Sequence, residues 1–153
     1  MTMSKTILGR VCAGLLVLGL SSSAFADPPS TGLGQAWPNA TDVSSSPNFH
    51  AYVFVLGGVK YVQINDLNGN VLAAIGMANG QFLTLPIGRF AQFVRTPQQP
   101  AAVATTATPV SSPTTVYQDA TTQVTTTPQS DGTMQVSALA TCSDPIVCNT
   151  HIQ

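Results

Sequence analysis

The chain has 153 residues, a formal net charge of −1, and 7% charged residues against 44% hydrophobic ones. Every acidic residue is an aspartate, and beyond residue 26 only Lys60, Arg89 and Arg95 are basic. So few cations exclude the phosphate-neutralising footprint of a nucleic-acid binder and a polybasic patch for anionic lipid, and without glutamate there is little material for solvent-facing helices.

Residues 1–26 read as a secretory signal. Lys5 and Arg10 form a charged start, the apolar run VCAGLLVLGL is short for a bilayer span, and Ala24-Phe25-Ala26 is a small-x-small cleavage site. Cys12 lies on the wrong side of that run for a lipidated cysteine. The expected mature chain starts at Asp27 and is exported, to the periplasm or outside the cell, with no stable membrane insertion after cleavage; an uncleaved anchor is the alternative. That mature chain has three basic residues and six aspartates, a net charge of −3.

Residues 27–48 form a lead-in with four prolines, two glycines and serines at 44–46. No periodic apolar face runs through it, so irregular backbone is expected. Trp37 is its one large aromatic. The favoured reading is a lid over a sheet; the competing one is a ligand-stacking platform.

Residues 49–95 carry the core, an antiparallel meander of three to five strands over about residues 49–94. Gly57-Gly58 between FHAYVFVL and VKYVQIN marks a two-residue turn, which needs positive φ. It pairs Leu56 with Val59, Phe54 with Tyr61, Tyr52 with Gln63 and His50 with Asn65. Side-chain alternation then separates two faces. One holds Phe49, Ala51, Val53, Val55, Val62 and Ile64, interrupted only by Lys60. The other holds His50, Tyr52, Phe54, Leu56, Val59, Tyr61, Gln63 and Asn65. Asp66-Leu67-Asn68-Gly69 reads as a type I turn with a glycine bulge. Ala78-Asn79-Gly80 reads as the same device, with a plain two-residue loop as the alternative for each. A one-residue difference flips the next strand's faces, so inward residues after Asn70 stay unassigned. Pro86 ends a strand or marks an edge. Arg89 to Val94 reads as a last strand.

Residues 96–131 are rich in Thr, Pro, Ala and Gln and read as a largely disordered linker or stalk. Short strands at 114–117 and 123–126 are the alternative. In residues 132–153, Thr133 to Ala140 is mildly apolar and suited to docking on the sheet, and Cys142 and Cys148 are expected to form a short-loop disulfide in an oxidising compartment. The weaker alternative is a metal site from Cys142, Cys148 and His151, with Asp144 as a fourth ligand.

Catalytic signals are sparse. There is no G-x-S-x-G, H-E-x-x-H or phosphate-cradling loop. His50 is the better placed of two candidate bases. The cluster Tyr52, Phe54 and Tyr61, with His50 and Trp37, suits sugar stacking or protein docking; the favoured reading makes it a second core face covered by the lead-in. The sequence thus predicts an all-β exported domain with no cofactor, acting as a non-catalytic binding or scaffolding module. An unknown protein or cell-surface partner, or self-association through the sheet, would supply the contact, with no role for nucleic acid. The competing class is a small metal protein or enzyme using His50 or the Cys142/Cys148/His151 cluster.

Overall fold

The computed structural model describes residues 29–103 and 106–141. The signal segment and the Cys142/Cys148/His151 cluster therefore lie outside the described residues.

Strands β1 (Phe49–Leu56), β2 (Val59–Asp66), β3 (Val71–Ala78) and β4 (Gln81–Thr84) form an antiparallel sheet in that order. Gly57 and Gly58 take φ of 58° and 79°, so the first turn spans two residues and the pairings are those read from the sequence, Leu56 with Val59 through His50 with Asn65. The next two turns differ from each other. Asp66 N–H donates to Asn70 O and Gly69 N–H to Asp66 O, with Gly69 at φ 81°, and a register shift follows at Ile64/Asn65. The Asn79-Gly80 turn is the plain two-residue form, because Ala78 pairs directly with Gln81 and both turn residues have positive φ. β4 stops at Thr84, before Pro86.

Two expectations need correction. Arg89 to Val94 is not a full strand. Arg89 and Phe90 donate to the carbonyls of Val71 and Leu72, which turns the chain across the end of β3. A 3-10 turn follows at Ala91–Phe93, and only Val94–Arg95 (β5) is extended. The Thr-rich stretch is not a disordered stalk either. It supplies β6 (Thr114–Gln118) and β7 (Thr122–Pro128), and β8 (Met134–Ala140) completes a second sheet in the order β5-β8-β7-β6, with β5 parallel to β8. Threonine explains the error. It is β-branched and half apolar, so Thr122, Val124 and Thr126 on β7 form a buried period-two face that a polar reading of threonine conceals.

The two sheets share one core. Ala51, Val62, Ile64, Ala73, Ile75 and Met77 from the first meet Val94, Val116, Tyr117, Val124, Val136 and Ala138 from the second. A bulge on β6 places both Val116 and Tyr117 inward. The segment 42–46 straps the open side. Val43 N–H donates to Ala51 O on β1, and Ser45 N–H to Val116 O on β6, each at 2.8 Å. Near the Gly57-Gly58 turn, the Lys60 ammonium reaches Asp119 across the sheets. The edge of β4 is blunted by amide side chains, with Gln98 Oε1 accepting from Phe82 N–H and Gln99 Oε1 from Thr84 N–H.

Candidate binding platform

The outer face of the first sheet is the unusual one. Gln63 and Asn65 sit there fully buried, where an apolar pair would normally be found. Burying two amides is costly unless their donors and acceptors are met. Here the lead-in meets them. Gln63 Oε1 accepts from Gly34 N–H at 2.6 Å, and Gln63 Nε2 donates to Gln35 O at 2.8 Å and to Asn65 Oδ1 at 2.9 Å. Asn65 Nδ2 donates to Ala36 O at 2.7 Å and to Gly69 O at 3.3 Å. The backbone of residues 34–36 is thus fastened to the sheet by side chains rather than by a strand ladder.

Trp37 follows immediately. A β-carbon built on Gly69 would meet the indole atoms Cε2, Cζ2 and Nε1 at 2.6–2.9 Å, so the ring lies against the glycine. Only a residue without a side chain fits there, and its positive φ favours glycine independently. Asn65 therefore grips both the residue before Trp37 and the residue beneath its ring. His50 closes one side, in an edge arrangement with centroids 5.5 Å apart. The imidazole stacks on Tyr52 at 6.1 Å, and its Nδ1 lies 2.7 Å from Asp42 Oδ2. With both indole contacts made, Trp37 is still 60% exposed.

Asp42 is itself fixed. Its Oδ1 accepts from the N–H groups of Ala51 and Ser44. Burial acts to raise its pKa, but hydrogen bonds from His50 and from those backbone groups hold the carboxyl below the usual range. An ionised Asp42 only accepts, so His50 Nδ1 carries the hydrogen and Nε2 is the nitrogen not engaged by Asp42. Burial, and secondarily the Asp42 charge, pushes the Tyr52 phenol up.

The candidate residues therefore separate. Trp37 and His50 form one surface. Tyr52 lies beneath His50, and both Tyr52 and Phe54 are buried. Tyr61 packs over Gly76, its ring 3.2 Å from where a β-carbon would stand, away from Trp37 on the β-hairpin. Sequence reading missed Asp42, Gln63 and Asn65 as members of the site. The available signal was two amides on an otherwise aromatic strand face. It also missed Asp119, which accepts from Lys60, from the Tyr117 hydroxyl at 2.7 Å and from Thr121 and Thr122 N–H groups at 2.8 Å. Burial works to raise the Asp119 pKa, yet these bonds, Lys60 foremost, drive it far below the usual carboxylate range. Burial, then the bond to Asp119, drives the Tyr117 phenol far upward. This second cluster joins the sheets.

Among the described residues no three His, Cys, Asp or Glu side chains gather as a metal site, and no helix is long and apolar enough to cross a membrane. The hydroxyl of Ser44, the serine nearest the Asp42–His50 pair in sequence, donates to Ser46 O and Val116 O. No protein-family description, curated protein or solved structure matches this chain.

Proposed function

We propose that this protein is a small exported binding module without catalysis, whose contact surface is the solvent-facing side of Trp37 flanked by His50. The observation that carries this reading is a tryptophan packed against Gly69 and His50 and yet left 60% exposed. A tryptophan serving only as a lid would be expected to bury most of its ring, since the burial is its contribution. Here two buried amides, a glycine turn and a fixed imidazole restrain the residue while its outer side stays open. Restraint without burial is what a binding residue requires, because ordering a loose side chain on association costs about 0.5–1.5 kcal/mol. The Ser44 hydroxyl is turned toward the carbonyls of Ser46 and Val116, which is in keeping with the non-catalytic part of the proposal. The signal-like residues 1–26 support export.

The test is the stability of Trp37→Ala. A binding residue at this exposure is expected to cost less than about 2 kcal/mol of unfolding free energy, measured by denaturant titration. A loss of about 3–5 kcal/mol, as for a core aromatic, would make Trp37 a structural lid and overturn the reading. For export, mass spectrometry of mature protein is expected to give an N-terminus at Asp27.

A further inference from the structure

We propose that the Trp37 surface takes a neutral pyranose of a glycan chain, its ring face stacked on the indole and its hydroxyls hydrogen-bonding to His50 Nε2 and donating to the Asp42 carboxylate. This rests on the binding reading above and names the ligand class for that site.

The geometry selects the class by shape, polarity and charge. Gly69 lies against the indole and the His50 ring stands at 66° to it, so a residue that is still 60% exposed offers at most one aromatic face rather than a cage. A quaternary ammonium is held by several ring faces turned toward one point. The other aromatic rings of this sheet do not supply them, since Tyr52 is buried under the imidazole and Tyr61 lies over Gly76. A polyproline helix docks in grooves lined by several aromatic rings, which the single face here does not form. A nucleic-acid base would bring phosphates toward Asp42 on a chain whose residues from 27 onward carry net negative charge. A neutral pyranose fits each of these conditions. One of its faces is a patch of C–H bonds matched to a π face. Its edge is ringed by hydroxyls, which can donate where the platform offers acceptors. Indole, imidazole and carboxylate stand in series, with 5.5 Å between the rings and 2.7 Å from Nδ1 to Oδ2. A ligand lying along that series contacts the aromatic face first and the acceptors next, which favours an oligosaccharide over a single sugar. The acceptors are already oriented by the Ala51 and Ser44 N–H groups on Asp42.

Trp37 is the only tryptophan in the chain, so its fluorescence reports on the site alone. The mature protein is titrated with hexasaccharides of β-1,4-linked glucose and of β-1,4-linked N-acetylglucosamine. The expected result is a saturable change in Trp37 emission with at least one of them, at lower concentration than the monosaccharide requires. Calorimetry should show the affinity about tenfold or more weaker in Trp37→Ala and only a few-fold weaker in Trp37→Phe. Circular dichroism of both variants should match the parent. His50→Ala should weaken binding while leaving Trp37 emission responsive. No saturable change with either hexasaccharide overturns the ligand class. A saturable response to choline or to a proline decamer in their place overturns it too, while leaving the binding reading standing. The stability of Trp37→Ala judges that binding reading separately.

Discussion

At the scale of single residues, Asn65 does the positioning. Its amide nitrogen faces two carbonyls, Ala36 O and Gly69 O, while its oxygen accepts from Gln63. Asn65→Asp keeps the shape and the acceptor but removes both donors, so a carboxylate would face two carbonyl oxygens in a fully buried position. A buried charge without a partner is expected to cost about 3 kcal/mol or more at pH 7. Burial raises the introduced carboxyl's folded pKa above its unfolded value of about 3.9. Its neutral form can donate to one carbonyl, so the deficit against the parent should shrink as pH falls toward 4 and grow as pH rises. Urea denaturation of both proteins from pH 4 to 8 checks the sign. A pH-independent deficit would mean that the side chain is not held between those carbonyls. None of this was legible from composition. Gln63 and Asn65 could be placed on a strand face from alternation alone, but their partners come from a lead-in with no periodicity to read.

At the scale of strands, the first sheet was legible outright, and the second only through the alternative of short strands at 114–117 and 123–126, which β6 and β7 match. Gly57-Gly58 fixes a turn whose register propagates through β1 and β2, and Ala51, Val62 and Ile64 of the aliphatic face lie in the core with Phe49 and Val53 packed against it. Val55, beside the turn and beyond the reach of the second sheet's core, is instead 65% exposed. In β7 the inward positions alternate just as regularly, but two of the three are threonines, Thr122 and Thr126. Threonine presents a methyl to the core and a hydroxyl that must be accommodated. Thr122 Oγ1 lies 3.1 Å from Met77 Sδ, a weak acceptor. Thr126 Oγ1 is buried with no hydrogen-bond partner. Thr126→Val keeps the β-branch and removes a desolvated hydroxyl, so it should raise unfolding free energy by about 1 kcal/mol. Guanidinium titration measures the change, and a loss of stability would show that the hydroxyl is satisfied in solution.

At the scale of the whole molecule, the sheets are held together by the shared core and by polar links at their margins, the 42–46 strap and the Lys60–Asp119 cluster. The cluster gives acid sensitivity a defined sign. Asp119 is depressed in the folded state, so its contribution is present above the unfolded carboxylate value near 3.8 and is lost as pH falls through the lower folded one. The parent should therefore lose stability on acidification from pH 5 to pH 2. Asp119→Asn should flatten that decline without abolishing it, because Asp42 and Asp66 are also depressed. Thermal unfolding across that range checks this, and an unchanged slope in the variant would mean that Lys60 and Asp119 do not pair.

A binding platform requires Trp37 to be both held and open. Time-resolved anisotropy of its fluorescence, combined with acrylamide quenching, measures the two properties on one residue of the ligand-free protein. The predicted result is anisotropy decay dominated by tumbling of the whole molecule, with efficient quenching, and the appearance of a fast local component in Asn65→Asp. A large fast component in the parent would show a loose side chain, and inefficient quenching would show a buried one. Either result would contradict the platform.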